Sequence, residues 1–273
     1  MAEIVGAFGV PHVPHFPSWV AGGHPLGPEI ARLYDDVARR LRAAEADTLV
    51  VITSDHYNEF FETVPIFCVG VAETAAGPSD YDTIPQREVR IDAELARDLH
   101  AALVHDGFDV AMSQELELDH TVIAPLHFLA PDNDLAVVPV FVSAFLRPIP
   151  SAQRCRALGA AIRAGLERHG GDRRIALLAS GSFSLEIGGP WIGDESHTGV
   201  PDPEWLERVL ELLRAGDVET LVAEATDERL ALAGNAAGEL LDWIVMLGAM
   251  EPSPPDFLDS QAAFGHAFAA WSP

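Results

Sequence analysis

Lysine is absent from this sequence, and every one of its 17 basic residues is arginine. Against them stand 42 acidic residues, which give a formal net charge of −25. Proteins that bind nucleic acids or anionic lipids present basic faces to the phosphates. We therefore expect neither kind of partner, and the charge itself favours solubility.

Cysteine is nearly absent too, because Cys68 and Cys155 are the only two in the chain. Two such residues form neither a disulfide framework nor a thiolate metal site, so a reducing cytoplasmic location is expected. No apolar run reaches the ~18 residues that a membrane span needs. The first residues lack a basic segment before an apolar one, which argues against a signal peptide.

What the sequence does contain is a regular alternation of short apolar runs and longer helical patterns. A continuous run such as Thr48–Thr53 is typical of a strand buried on both faces. Apolar residues at helical spacing, as in Pro28–Ala44, predict an amphipathic helix. The other predicted strands are Ile4–Val10, Pro65–Val71, Leu135–Val142 and Ile175–Ala179, and the other predicted helices in this part are Ala93–Val104 and Ala152–His169.

This alternation predicts an α/β fold with a mainly parallel central sheet and helices on both of its faces. The pattern of Pro203–Met250 is helical throughout, so we expect the C-terminal third to be helical. The chain has neither an internal repeat nor a low-complexity linker, which predicts a single domain over residues 1–273. In open sheets of this kind, ligands bind at the carboxyl ends of the strands.

Histidines follow the first two predicted strands at those ends. His12 and His15 come just after the first strand, and Asp55 and His56 follow the second. Neutral imidazole is a common ligand for zinc and iron. Each histidine alone is more typical of a structural role, but two at neighbouring strand ends could share one metal ion. His12 is a better candidate than His15 because it lies nearer to its strand.

A third candidate ligand lies in an almost wholly apolar helical segment, Ala236–Met250. Glu239 occupies its first turn, on the same side as Trp243 and Met246. A buried carboxylate is costly unless a charge or hydrogen bonds compensate it, and a metal ion supplies such a charge. The alternatives are a salt bridge to an arginine and stabilisation by the helix N-terminus. Asp242 is a weaker candidate ligand.

Two histidines and one carboxylate leave coordination positions open, which suits Fe(II) chemistry with O2 and catalytic zinc alike. His120 stands at the start of another apolar helical segment, after a run rich in acids. It is a candidate acid or base near neutral pH, or else a helix-capping or surface histidine. Asp55 and Asp119, each directly before a histidine, either orient these side chains or are simply exposed to solvent.

Four short segments match motifs of one known family. PHVP around His12 and SDH ending at His56 resemble its two iron-histidine motifs. LDHTVIAPL around His120 resembles a D-H-x(3,4)-P-L motif, and GELLDWIVMLGAM around Glu239 resembles an E-x-x-x-W-x-x-M-x-G-A motif. These segments, in this order, resemble the class III extradiol dioxygenases, the superfamily of the catalytic subunit of protocatechuate 4,5-dioxygenase.

The resemblance implies a single catalytic dioxygenase domain with an α/β fold. It implies Fe(II) held by His12, His56 and Glu239, with His120 as the acid/base, and cleavage of a catechol-type ring by O2 beside its two hydroxyls. Aminophenol and gallate rings are the related alternatives. We expect a small aromatic diol and O2 as partners and a homo-oligomer, a dimer. The lid would come from the chain's own loops, a second copy or a small partner subunit.

One segment departs from the family pattern. Better-known members carry a second active-site histidine in a segment resembling G-G-M-S-H, whereas this chain has SGSFSLEIGGP with Leu185 at that place. His197, in the following loop, is the candidate to replace it as a catalytic residue. The other candidates for contact with the substrate are His15, Ser182, Ser184 and Glu186.

Two other functions stay open on the sequence alone. A zinc hydrolase could use the same three ligands, and the loss of a histidine at Leu185 leaves room for a non-catalytic metal-binding or regulatory relative. The charge of −25 bears on the substrate, because an anionic catechol would need a local arginine. Arg87 and Arg90 are the candidates for this role. A neutral or amino-substituted catechol faces less difficulty.

Overall fold

The computed structural model describes residues 2–188 and 199–272. In these ranges the strands are β1 (Glu3–Val10), β2 (Thr48–Thr53), β3 (Phe67–Gly70), β4 (Thr74–Gly77), β5 (Arg87–Arg90), β6 (Ala111–Ser113), β7 (Ala136–Val142), β8 (Arg174–Ser180), β9 (Phe257–Gln261) and β10 (His266–Trp271). The α-helices are α1 (Phe16–Gly22), α2 (Gly27–Ala43), α3 (Ala93–His105), α4 (His120–Leu129), α5 (Ala152–Arg168), α6 (Pro203–Ala215), α7 (Val218–Glu224), α8 (Asp227–Leu232) and α9 (Leu240–Gly248). Among these helices, none is long and apolar enough to cross a membrane.

Eight of the strands form one mixed sheet in the order β6-β3-β7-β2-β8-β1-β10-β9. The central strands β7, β2, β8 and β1 run parallel to one another, and β3 and β6 form a second parallel pair. Strand β3 is antiparallel to β7, and β10 is antiparallel to both β1 and β9. Strands β4 and β5 form a separate antiparallel pair.

Both faces of the sheet are covered, as expected for parallel strands that are apolar along their whole length. Strand β2 is buried at all six positions. Val50 and Ile52 belong to the core that includes residues of α3, α5 and α9. Leu49 and Val51 belong to the core on the other face, with residues of α2 and α4. Successive side chains of one strand therefore enter two different cores.

The predicted α/β architecture is confirmed, with a mainly parallel sheet, helices on both faces and a run of helices beginning at Pro203. The sequence analysis did not identify the antiparallel strands β9 and β10. Strand β9 carries Asp259, Ser260 and Gln261 at the edge of the sheet, where one side of the strand is solvated. Its polar composition therefore hides a strand that a continuous apolar run would have revealed.

The sheet order brings three carboxyl ends together at one edge. Strands β1, β8 and β2 are adjacent and parallel, and they end at Val10, Ser180 and Thr53. His12 and His56 follow two of these strand ends directly. The parallel order therefore places residues distant in sequence at one edge, where α/β proteins bind their ligands.

Candidate metal centre and active site

His12 is held at the end of β1 by a hydrogen-bond network beneath its ring. The Ser180 hydroxyl donates to the Thr121 carbonyl oxygen at 3.0 Å, and it lies 3.0 Å from His12 Nδ1 and 2.9 Å from Thr53 Oγ1. Because Ser180 has one proton to donate, it accepts a hydrogen bond from His12 Nδ1–H. Nε2 of His12 then lies on the other side of the ring, 3.2 Å from Glu239 Oε1.

His56 is positioned through its backbone. Its N–H donates to Asp119 Oδ2 at 3.0 Å, while Asp119 Oδ1 accepts from the N–H of Thr121 and so caps helix α4. Asp55 accepts from the backbone N–H groups of residues 58, 59 and 60 and orders the loop after His56. Both aspartates therefore shape the backbone around the histidines, and neither bonds to a ring nitrogen of the neighbouring histidine in the described contacts.

Glu239 ends the short 3-10 helix Ala237–Glu239 and immediately precedes α9. Its Oε2 accepts a hydrogen bond from the backbone N–H of Ser182 at 2.6 Å. Glu239 also lies against Gly181, where an added Cβ would come within 2.5 Å of the Glu239 Cβ. Gly181 has a φ of +152°, which L-residues rarely adopt, so glycine meets both the conformational and the steric requirement.

The three predicted ligands converge on one point. Glu239 Oε1 lies 3.2 Å from His12 Nε2 and 3.2 Å from His56 Nε2. One ligand nitrogen from each of His12, His56 and His120 lies within 4.8 Å of the others. Ligand atoms about 2.1 Å from one ion and at right angles lie about 3 Å apart, so the two distances from Glu239 Oε1 are compatible with one ion shared by His12, His56 and Glu239.

The electrostatics of this group favour a cation at its centre. Burial alone would raise the pKa of Glu239, but the charge of His12 and the hydrogen bonds from His12 and His56 hold it well below its usual range. Burial lowers the pKa of His56, and the hydrogen bond and charge of Glu239 outweigh this effect and raise it. The buried carboxylate therefore needs positive charge from protonated imidazoles or from a metal ion.

His120, at the N-terminus of α4, is fixed by Asp80. Its ring Nδ1 donates to Asp80 Oδ2 in a short hydrogen bond, and its backbone N–H donates to Asp80 Oδ1 at 3.0 Å. Burial and the charge of His56 lower the pKa of His120 despite the opposing effect of Asp80. The arrangement leaves His120 Nε2 as an acceptor, because Nδ1 carries the proton given to Asp80.

Asp242, the weaker candidate ligand, lies behind the centre. It is fully buried, its Oδ2 accepts from Ser54 Oγ at 2.9 Å, and its Oδ1 has no hydrogen-bond partner among the described residues. Burial raises its pKa well above the usual range, and the Glu239 charge adds to the shift. Asp242 is thus a buried acid, shifted towards its protonated form, that packs under the strand ends.

Aromatic side chains pack against the histidines of the centre. The Phe145 ring lies 4.4 Å from the His56 ring, and the Tyr81 ring lies 5.0 Å from the His120 ring. His15, predicted to contact the substrate, is 5.8 Å from Tyr81 and stacks on Trp19 at 6.2 Å. Tyr81 therefore lies between His120 and the exposed His15.

The remaining predicted residues lie near β8. Ser182 is buried and contacts Glu239 through its backbone, whereas the Ser184 hydroxyl donates to the Ala233 carbonyl oxygen and accepts from the N–H of Asp202. Glu186 Oε2 accepts from the N–H of Asn235. Ser184 and Glu186 thus tie β8 to the segment before Glu239. His197 lies outside the described residues, and Leu185 is half-buried.

Arg87 does not face this site. Its guanidinium donates to the carbonyl oxygens of Leu126 and Ala130, at the C-terminal end of α4, and to Asn133 Oδ1. Arg90 is an exposed residue at the end of the same strand, β5. The structure therefore gives Arg87 the role of a helix C-terminal partner.

Three supporting residues were missed by the sequence analysis. Asp80 and Ser180 bond to the histidine rings, and Thr53 bonds to Ser180, yet Asp80 and Ser180 lie far along the chain from the rings that they contact. A carboxylate beside a predicted loop gives no local signal of its partner. Thr53 ends one predicted strand and Ser180 directly follows another, so the rule that ligands gather at strand ends could have selected them.

Fold and site together define an α/β protein with a buried group of imidazoles and carboxylates able to bind a metal ion at the strand ends. The family described as the catalytic LigB subunit of aromatic ring-opening dioxygenase matches residues 6–271, and this chain belongs to it. Membership confirms the predicted resemblance and the predicted class of enzyme, a ring-opening dioxygenase.

Relatives with curated names are similar over most of the chain. The enzyme named 2,3-dihydroxyphenylpropionate/2,3-dihydroxicinnamic acid 1,2-dioxygenase of Klebsiella pneumoniae is 28% identical over 81% of this chain and 82% of its own. The protein of the same name from Burkholderia vietnamiensis is 31% identical over 83% of this chain and 82% of its own. At such identities, substrates do not transfer from the names alone.

A solved structure shares the fold. The crystal structure of an uncharacterised protein from Escherichia coli K12 superposes with a TM-score of 0.61, covering 98% of this chain and 100% of that chain. The sequence identity is 19%, so this likeness concerns the architecture alone.

Proposed function

We propose that this protein is a single-domain, non-haem Fe(II)-dependent extradiol dioxygenase that opens a catechol-type ring with O2. The observation that carries the proposal is Glu239 Oε1 lying 3.2 Å from both His12 Nε2 and His56 Nε2 in a buried pocket. Two imidazoles and a carboxylate that leave one side open form the usual donor set of non-haem Fe(II) oxygenases. Family membership supports the same reaction class.

Each side chain has a role in this proposal. His12, His56 and Glu239 hold the ion, and Ser180 fixes the ring of His12. Bound Fe(II) supplies the electron-transfer chemistry that allows an electron-rich ring to react with O2. His120 Nε2 accepts a proton from a catechol hydroxyl and returns it to an oxygen of the product. Tyr81 and Phe145 exclude water on either side of the ring.

The reaction balances without a further reductant. One ring carbon–carbon bond beside the two hydroxyls breaks, both atoms of O2 enter the product, and catechol plus O2 gives a ring-opened semialdehyde acid. The proton that His120 takes from the substrate returns to the product, so the enzyme ends in its starting state. The product of such a reaction absorbs visible light, which provides an assay.

We also propose that the protein works as a homodimer in which a second copy, or a small partner subunit, covers the mouth. Exposed apolar side chains in the loop after His56 and in the segment after β7 support a covering partner. These side chains are Tyr57, Phe61 and Leu146, of which Phe61 is 78% exposed.

A zinc hydrolase is the second candidate, because one observation favours it. Ligand nitrogens of His12, His56 and His120 lie within 4.8 Å of one another, and three histidines are a donor set of catalytic zinc. The two functions differ in the metal retained and in the use of O2. Zinc held tightly without O2 consumption would support the hydrolase.

The test is anaerobic reconstitution with Fe(II), followed by metal analysis and O2 uptake on a panel of catechols, gallates and aminophenols. We expect about one iron per chain, O2 uptake and a coloured product. His56→Ala removes both iron and activity. His15→Ala and the matched control His105→Ala, at an 86% exposed side chain, retain the iron.

Two results would contradict the proposal. Loss of iron in His15→Ala together with full retention in His12→Ala would show that the ligand set is wrong. No O2 uptake with any ring of the panel, from a protein that holds iron, would favour a non-catalytic relative of the family.

A further inference from the structure

The mouth of the proposed active site is surrounded by acids. Asp55, Asp80 and Asp119 stand around His56 and His120, and Glu239 closes the buried side. Asp82 follows Tyr81 and is exposed. These carboxylates therefore contribute a negative field around the histidines.

No arginine compensates the negative charge of these acids in the described contacts. All 17 arginines fall within residues 2–188 and 199–272, and the chain has no lysine. Among the described residues, no arginine hydrogen-bonds or ion-pairs with a proposed ligand, with His120 or with an aromatic wall residue. Arg147, two positions after Phe145, pairs with Asp227 at 2.8 Å. The segment 189–198 contributes no arginine by composition.

The N-terminus of helix α4, which could otherwise bind an anion, is already occupied by carboxylates of this chain. Helix α4 begins at the centre, and helix N-termini attract anions through their exposed N–H groups and dipole. The N–H of His120 donates to Asp80 Oδ1 at 3.0 Å, and the N–H of Thr121 donates to Asp119 Oδ1 at 2.9 Å. The chain's own carboxylates thus occupy the place where a substrate carboxylate could bind.

The balance of charges at the site then limits the charge that a ring substituent of the substrate can carry. A divalent ion, the Glu239 carboxylate and a singly ionised catechol sum to zero. A further carboxylate on the ring would add a negative charge to the field of Asp80, Asp119 and Asp55, to which no described arginine is hydrogen-bonded or ion-paired, and like charges repel. An uncharged or amine-bearing substituent meets aromatic walls and favourable charge instead.

We infer that the site accepts catechols whose ring substituent is uncharged or carries an amine, and that it discriminates against a carboxylate substituent. The inference rests on the proposed function, because it concerns the substrate of the same site. It also separates this chain from its relatives whose names specify 2,3-dihydroxyphenylpropionate, a ring with a carboxylate side chain.

The test uses matched substrates that differ in charge alone. The full-length Fe(II)-loaded protein is assayed by O2 uptake with 2,3-dihydroxyphenylpropionate, its methyl ester and the corresponding amine, and with the same three substituents at the 4-position. The pH is 8, where an ordinary imidazole is neutral and cannot supply the missing cation. Binding of the same compounds to the Zn(II)-loaded protein is measured by calorimetry without turnover.

We expect kcat/KM for the ester and the amine to exceed that for the acid about tenfold or more, with Kd values in the same order. The ratio of kcat/KM for the ester to kcat/KM for the acid should fall when NaCl rises from 50 to 500 mM, because salt screens the repulsion. Turnover of the acid equal to or faster than that of the ester overturns the inference and leaves the proposed function intact. If no compound is turned over, the proposed function fails. Tighter binding of the acid than of the ester to the Zn(II)-loaded protein overturns the inference, whether or not turnover is observed.

A variant that removes one negative charge tests whether the acids cause the substrate preference. Asp82→Asn removes one negative charge beside Tyr81 and should lower the ester-to-acid ratio of kcat/KM about two- to threefold. The matched control is Glu207→Gln, at an exposed position on α6, which removes the same charge far from the mouth. An equal ratio in wild type, Asp82→Asn and Glu207→Gln at low salt would show that the charge at the mouth does not set the preference.

Discussion

Two of the histidines that face the centre, His12 and His120, are fixed by hydrogen-bond acceptors at Nδ1. Ser180 accepts from His12 Nδ1 because its own proton goes to a carbonyl oxygen, and the Asp80 carboxylate accepts from His120 Nδ1. Both arrangements place a proton on Nδ1 and turn Nε2 of each ring towards the centre. The orientation of each ring is therefore set before a metal ion or substrate arrives.

Removing the Asp80 carboxylate should separate catalysis from metal binding. In Asp80→Asn, the amide can donate to His120 Nδ1, which reverses the tautomer and puts the proton on Nε2. We expect kcat to fall about 10²-fold, within the range attributed to general acid–base catalysis, while the iron content stays at the wild-type level. Stopped-flow measurement of the ring-opened product and metal analysis check the two parts.

The control for this variant is Asp82→Asn, which removes the same charge from a neighbouring exposed residue. It should keep the wild-type kcat with the methyl ester substrate. A loss of iron in Asp80→Asn would instead mean that Asp80 supports the metal ligands rather than His120.

Asp242 should make stability depend on pH. Its pKa is raised in the folded state by burial, from an unfolded value of about 3.9. The folded state thus binds the proton more tightly, and this stabilisation is complete below the unfolded pKa and is lost as the pH rises through the folded pKa. The loss is up to about 1.4 kcal/mol per pH unit within that window.

Asp242→Asn lacks this titration while its amide oxygen can still accept from Ser54. We expect its free energy of unfolding, relative to wild type, to increase as the pH rises from 5 to 8 in urea titrations. The exposed control Asp109→Asn should follow the wild-type profile. A constant difference between Asp242→Asn and wild type over this range would show that Asp242 is already ionised in the folded protein.

At the scale of elements, β1 and α9 are in direct contact near Glu239. Gly9 of β1 faces the ring of Trp243, and the space of a Cβ at Gly9 is filled by the indole. Trp243 lies one turn after Glu239 on the same helical segment. The strand that leads to His12 and the helix that follows Glu239 are thus in direct contact, which places two predicted ligands on one rigid unit.

Gly9→Ala should disturb this unit. The added methyl group overlaps the indole, and overpacking of this kind costs about 1–3 kcal/mol. We expect the free energy of unfolding to fall by that amount and the iron affinity to decrease, as measured by urea titration and by competition with a chelator. Gly22→Ala is the matched control, because a Cβ there meets nothing within 4 Å. Equal effects of both changes would contradict the proposed contact.

Elements with periodic or continuous apolar patterns were predictable from the sequence. Strand β2 was predicted with its observed bounds, and α2 and α5 within one residue at each end. Strands β9 and β10 were missed, because their antiparallel pairing at the end of the sheet, of β10 with β1 and of β9 with β10, is decided by long-range contacts rather than by local pattern. The direction of β3 against β7 was likewise fixed by long-range pairing alone.

At the scale of the whole molecule, the net charge of −25 opposes compaction. Like charges on one surface repel, and salt screens them within a Debye length of about 10 Å at 0.1 M. We expect Tm to rise by roughly 2–4 °C, the shift produced by about 1 kcal/mol, when NaCl increases from 50 to 500 mM at pH 8. Differential scanning calorimetry at constant metal content measures this shift.

The same experiment at pH 5, close to the isoelectric point of about 4.6, is the control, because the net charge is small there. The rise should be much reduced at that pH. A rise of equal size at both pH values would show that salt acts through hydrophobic burial rather than through screening.

Local sequence features were sufficient to predict the fold class, the strand ends that carry His12 and His56, the burial of Glu239 and the family, because periodicity and short motifs are local properties of the chain. The side-chain contacts required the folded structure: Oε1 of Glu239 lies between two imidazoles, Asp80 binds His120, and Arg87 faces the end of α4. These contacts join residues up to 227 positions apart. Pairings of that range follow from strand order and packing, which no local pattern encodes.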